Sequence, residues 1–205
     1  MKILVLYALS ALISFEAASQ NTEKGWISLF DGKSLAGWQV GDNASTFSVE
    51  NGSIAVHGET AHLFYEGPVA SHDFKDFEFK AMVMTTPGSN SGIYIHTAYQ
   101  KSGWPNIGYE IQVNNSHTDW RRTGSVYAIK DNKDSVAGDN VWFEQYIMVK
   151  GKTITIKING KTINEYTEPA NQDQKARHLG SGTFALQGHD PKSKVYFKDI
   201  MVKPL

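Results

Sequence analysis

Apolar and polar positions alternate along this chain in short runs. The clearest run is Tyr109-Glu110-Ile111-Gln112-Val113-Asn114, where Tyr109, Ile111 and Val113 project to one side and Glu110, Gln112 and Asn114 to the other. The first side suits a hydrophobic core. The second lines up a carboxylate and two carboxamides, which fits the floor of a polar groove as well as it fits a plain exposed face. Residues 74–84 repeat the pattern over a longer span, with Phe77, Phe79, Ala81 and Val83 on one face and Asp76, Glu78, Lys80 and Met82 on the other. Ile93-Tyr94-Ile95-His96 predicts a strand with both isoleucines inward and Tyr94 and His96 outward. Further strands are predicted over 46–50, 53–57, 125–129, 144–150, 152–158, 161–166, 183–187 and 195–202. Asn51-Gly52 and Asn159-Gly160 stand between such runs and favour the tight turn with positive φ at both central positions. A helical period occurs only over 168–178, and weakly. Many short strands separated by turns predict an all-β sandwich of two antiparallel sheets, which carries ligands on its concave face or at the rim.

Composition narrows the picture. The chain has 205 residues, a formal net charge of −1 and no cysteine. So small a charge gives no field to gather nucleic acid or anionic lipid, and neither is expected as a partner. Without cysteine there is no disulfide framework and no thiol for a lipid anchor. Met1-Lys2, the apolar run from Ile3 to Ile13 and the small residues Ala17-Ala18-Ser19 predict a secretory signal peptide over 1–19. Cleavage before Gln20 leaves one domain over 20–205, exported to the periplasm or beyond, with no later apolar run long enough to hold it in a membrane. Aromatic residues make up 12% of the chain, five of them Trp. That richness suits a β core and also suits stacking on pyranose rings.

Five blocks resemble those of the 3-keto-disaccharide hydrolase family. They are Leu29-Phe30-Asp31-Gly32-Lys33-Ser34-Leu35-Ala36-Gly37-Trp38, Asn90-Ser91-Gly92-Ile93, Gly108-Tyr109-Glu110-Ile111-Gln112, Thr123-Gly124-Ser125-Val126-Tyr127, and Leu186-Gln187-Gly188-His189 followed by Val195-Tyr196-Phe197-Lys198-Asp199-Ile200. They keep the family order and span nearly all of 20–205. The resemblance implies a concanavalin A-like jelly roll. It also implies an activity on 3-keto-glycosides, by hydrolysis or by 1,2-lyase and hydratase steps. The chain departs from the family pattern in having His96 where Arg is frequent, Asn114 where Asp is frequent, and Phe143 after Trp142.

A ketone at C3 acidifies the hydrogen on C2, and its removal allows the C1 substituent to leave. That chemistry needs a base near C2, donors around the developing oxyanion and an acid at the leaving oxygen. Glu110, the acid on its strand, and His96, an imidazole titrating near neutrality, are the candidates for proton transfer. Lys80 and Arg122 are candidate donors to the enolate oxygen. Asn90, Tyr94, Gln112, Asn114, Gln187 and His189 are candidates to hold sugar hydroxyls, and Tyr127 and Trp104 to stack on a ring. No cofactor is required by these residues, although His96, Glu110 and His189 form a set able to ligate a divalent ion, with His189-Asp190 as another proton-transfer or metal pair. Asp31, beside a turn, reads as a structural acceptor. The second reading is a non-catalytic, lectin-like carbohydrate-binding module. The ionisable cluster favours the enzyme.

Overall fold

A computed structural model describes residues 24–172 and 177–205; the leader read over 1–19 lies outside the described residues. The strands run β1 (Ile27–Ser28), β2 (Trp38–Val40), β3 (Phe47–Glu50), β4 (Ser53–Val56), β5 (Ala61–Tyr65), β6 (Phe77–Thr85), β7 (Ser91–Thr97), β8 (Tyr109–Val113), β9 (Phe143–Lys150), β10 (Thr153–Ile158), β11 (Lys161–Thr167), β12 (Thr183–Gly188) and β13 (Val195–Pro204). They form two antiparallel sheets. One has the order β11-β10-β9-β6-β13-β4-β3, with β1 added beside β13; the other has the order β2-β5-β12-β7-β8. The protein is thus the all-β sandwich of two antiparallel sheets that the alternation predicts, in the concanavalin A-like jelly-roll form that the resemblance implies.

Period-2 alternation decides what faces the interior. In β6, Phe77, Phe79, Ala81 and Val83 are buried and their neighbours are half-exposed. From the other sheet Leu63, Ile93, Ile95, Ile111, Val113, Phe184 and Leu186 meet them, all at or near zero exposure. In β13 the parity changes, since Val195 and Phe197 are buried and then Ile200 and Val202. The register shift between Lys198 and Met201, with Asp199 at φ 49°, marks a β-bulge that re-aims the strand. Asn51 and Gly52 at φ 48° and 77° join β3 to β4, and Asn159 and Gly160 with the same two angles join β10 to β11. Asp31 Oδ1 accepts the backbone N–H groups of Lys33 and Ser34 at 2.7 and 2.8 Å, the structural role expected of it.

Two expected elements differ. The segment 125–129 is not a regular strand. It is a set of turns, with Ala128 at φ 57°, pinned along the free edge of β8 by Gln112 N–H to Ser125 O and Tyr127 N–H to Glu110 O. The segment 168–178 forms no helix among its described residues, and 173–176 lie outside them.

Candidate active site

On the outer face of the five-stranded sheet, β5, β12, β7 and β8 bring His62, Gln187, Tyr94 and Glu110 side by side: His62 pairs with Gln187, and Tyr94 with Glu110. Loops close over this row to leave a cavity of about 550 Å³. Glu110, Gln112, Tyr94 and Gln187 supply its strand-borne lining; Asn90, just before β7, and Tyr127, Arg177, His189 and Trp104 come from the loops.

Glu110 is the centre of the lining. Its side chain crosses over β7, where Gly92 offers no side chain in the way: a Cβ there would meet Glu110 Oε1 at 2.5 Å. Having crossed, the carboxylate accepts the Tyr94 hydroxyl on Oε2 at 2.9 Å and the Gln187 amide on Oε1 at 2.8 Å. Burial pushes Glu110 up to about 7, against the lowering effect of those two donors and of the Arg177 charge. Burial and the facing carboxylate push the Tyr94 phenol far above its ordinary range, so it stays a donor. Arg177 donates to Tyr127 O at 3.0 Å, which carries its guanidinium to the wall.

The amides around Glu110 are half used. Gln112 donates to Asn90 Oδ1 at 2.8 Å, yet its own Oε1 is buried with no donor; Gln187 Oε1 is in the same state. Both residues line the cavity. Those two oxygens expose essentially no surface, so they are unpaired within the floor of the cavity and not open to it.

At one end of the cavity His189 Nδ1 lies 2.7 Å from Asp190 Oδ2. Asp190 also accepts the N–H groups of Lys192 and Ser193 and the Ser193 hydroxyl. Burial alone would raise this carboxyl, but these hydrogen bonds outweigh it and hold Asp190 down at about 2. The carboxylate therefore fixes the proton of His189 on Nδ1 and leaves Nε2 for the cavity. Trp104, on the loop between β7 and β8, packs over His189 at 5.8 Å between ring centres and over His62 at 5.4 Å. His62 is 3% exposed, its Nε2 has no partner, and burial lowers it to about 4.

His117, His189 and Asp190 bring ligand-type atoms within 4.8 Å of one another. The hydrogen bonds do not fit a cation there. His117 Nδ1 accepts the Asp119 N–H at 3.1 Å, so the ring proton sits on Nε2, the atom 4.0 Å from Asp190. Asp190 is already saturated with donors. The set suits proton transfer.

Four expected site residues lie elsewhere. His96 takes φ 50° at a bulge where β7 and β12 lose register, and this turns its ring inward against Phe77, 5.6 Å between ring centres. There Nε2 faces Lys75 O at 2.9 Å and Nδ1 accepts the Gly180 N–H at 3.2 Å. Burial lowers its pKa despite the Lys75 bond and nearby acids. His96 is thus neither at the cavity nor able to share a metal with Glu110 and His189. Lys80 lies on the outer face of the other sheet, 4.3 Å over the Trp26 ring. Asn114 falls past the end of β8. Its amide donates to Asp119 O and Arg121 O, and its oxygen accepts the His117 N–H, so it organises the following loop. Arg122 serves the same loop through Asn114 Oδ1, His117 O and Asp119 O. Glu110, Asn90, Tyr94, Gln112, Tyr127, Gln187 and His189, by contrast, converge on one hollow. Arg177 and Gly92 were not singled out beforehand. Arg177 sits in a polar connection with no strand pattern. Gly92 stood in a recognised motif, but its purpose is legible only across two strands.

A two-sheet jelly roll with a polar hollow on the outer face of its smaller sheet is a galectin-like fold. More narrowly, the chain belongs to the 3-keto-alpha-glucoside-1,2-lyase-like domain family, which it matches over residues 25–203. Among solved structures it is similar to a candidate glycosyl hydrolase from Parabacteroides distasonis, at 22% identity and TM-score 0.74, covering 88% of this chain and 94% of that one. It is also similar to the carbohydrate-binding module CBM66 from Bacillus subtilis, at 12% identity and TM-score 0.60, covering 82% and 95%. A protein with a galectin-like fold from the same organism gives 11% identity and TM-score 0.61, covering 83% and 90%. No protein of curated function matches significantly.

Proposed function

We propose that this protein is an exported enzyme that cleaves 3-keto-glycosides by removing the proton on C2. The observation that carries the reading is Glu110, a carboxylate tuned to about 7 by burial and clamped between Tyr94 and Gln187 at the floor of a sugar-sized hollow. A base poised near neutral pH is what abstraction from a ketone-activated carbon requires. The family supports the substrate class. The leader read over 1–19 supports export.

The chain's own groups take plain parts. Glu110 receives the C2 proton. Arg177 places a positive charge in the same hollow, where a developing enolate oxygen is stabilised. The side chains of Asn90, Gln112 and Gln187 give the hollow a polar lining for sugar hydroxyls, and Trp104 and Tyr127 offer ring faces. The test is to incubate the purified protein with a 3-keto-glucoside and with the unoxidised glucoside, following aglycone release. Release from the keto sugar alone is expected. Saturable binding of the keto sugar without turnover would instead favour a carbohydrate-binding module, a function the same amides and aromatics also serve.

A further inference from the structure

Building on that reading, we infer that His189, aimed by Asp190, is the acid that protonates the leaving oxygen, so that base and acid are separate groups lining one hollow. The first argument is bonding. Asp190 is an ionised acceptor saturated by Lys192, Ser193 and His189, so it moves no proton itself. What it does is hold the imidazole with Nδ1 engaged at 2.7 Å and Nε2 available to the cavity that His189 lines. This is the arrangement of a proton-transfer imidazole and its orienting carboxylate, and in the protonated ring the free Nε2–H is the donor.

The second argument is position. Beyond His189 lies another hollow of about 490 Å³, lined by Gly88, Ser116, His117, Thr118 and residues 190–192. Asp190 and His117 face this second hollow while His189 faces the first. The imidazole thus stands at the partition. A glycosidic bond whose 3-keto ring rests on Glu110 and whose leaving group points to the second hollow passes over Nε2.

The step balances. Glu110 takes the C2 proton as the C–H pair becomes the enolate. The enolate then re-forms the C3 carbonyl, the C1–C2 double bond forms, and the C1–O bond breaks with its electrons on oxygen. That oxygen takes the Nε2 proton of His189, which enters the step as the imidazolium with its Nδ1–H held by Asp190, and an alcohol departs. Glu110 is left protonated and His189 neutral. These are the states needed to add water: His189 takes a water proton as oxygen bonds C1, and Glu110 returns its proton to C2. Elimination followed by hydration restores both groups without an external proton.

Leaving-group dependence tests the assignment. A 4-nitrophenolate departs without a proton, whereas an alkoxide does not. His189→Gln should lose about 10²–10⁴-fold in turnover of an alkyl 3-keto-glucoside, the range for one general acid, and far less on the 4-nitrophenyl compound. In D₂O the same variant should exchange the C2 hydrogen of the alkyl substrate without releasing alcohol, which also reports that Glu110 still works and the site is folded. His189→Asn should behave alike. Equal losses on both leaving groups, or loss of exchange together with cleavage, would overturn the assignment while leaving the reaction in place. A wild-type protein inactive on both glycosides would remove the enzymatic reading beneath it.

Discussion

Gly92 on β7 and Glu110 on β8 occupy one space: the carboxylate lies where a side chain at position 92 would begin, 2.5 Å from an added Cβ. This overlap lets the acid reach past its own partner strand to Gln187 on β12. Gly92→Ala should therefore push Glu110 out of register with Tyr94 and Gln187. Turnover is expected to fall about 10²-fold for a displacement near 1 Å. Overpacking should also cost about 1–3 kcal/mol of stability. Kinetics beside urea unfolding would check both. A fully active Gly92→Ala protein would show that the placement of Glu110 is not limiting.

The protonation state of Glu110 gives the activity a direction with pH. Acting as a base, it must be ionised, so kcat/KM should fall as pH drops through about 7. Tyr94→Phe removes a donor that lowers Glu110, and the acidic limb should then move to higher pH. Glu110→Gln should lose about 10²–10⁴-fold above pH 7 and should lack the acidic limb. A pH–rate profile of the three proteins settles the matter, and an acidic limb untouched by Tyr94→Phe would assign the limb to another group.

Stability has two opposing pH slopes at this face. Glu110 is raised from 4.5 to about 7, so the folded protein holds its proton more tightly than the unfolded chain does; stability is lost as pH rises through that window, by about 3 kcal/mol. His62 is lowered from 6.5 to about 4, so the unfolded chain takes the proton first; stability is lost as pH falls through its window, again by about 3 kcal/mol. In wild type the two nearly cancel between pH 5 and 6.5. Urea melts across pH should show stability falling with rising pH in His62→Phe and rising with it in Glu110→Gln. Variants with flat, parallel curves would contradict this.

His96 belongs to the packing between the sheets. His96→Gln should lose about 1–3 kcal/mol, because the Gly180 N–H or Lys75 O is left unpaired. Its kcat/KM at a temperature where it is folded should match wild type. A selective loss of turnover with unchanged stability would return His96 to the chemistry.

His117 Nδ1 accepts the Asp119 N–H and Asp190 is filled by His189, Lys192 and Ser193, so a cation there would have to displace these bonds. Protein dialysed against a strong chelator is expected to keep its activity, and added zinc or manganese should not raise it. Metal-dependent recovery would show that His117 gives up its bond from Asp119 to bind an ion.

The alternation of Phe77 to Val83 and of Tyr109 to Val113, with the two Asn-Gly turns, determined the all-β class, most strands and the side of β8 that faces the core. These are local matters, since a strand's two faces follow from its period and a tight turn follows from residues that tolerate positive φ. It also placed Glu110 and Gln112 on the face that became the site. Bulges were beyond its reach. One extra residue at His96 reverses the side chain's direction, and the cause is register with β12, whose Thr183 pairs with Thr97 from far along the chain. The end of β8 one residue before Asn114 likewise turned an apparent groove residue into a loop brace. Only tertiary structure could show why position 92 needs glycine, bring Arg177 from an unpatterned connection to the cavity wall, or give Glu110 its pKa. Each depends on what neighbouring strands place within a few ångströms of one atom.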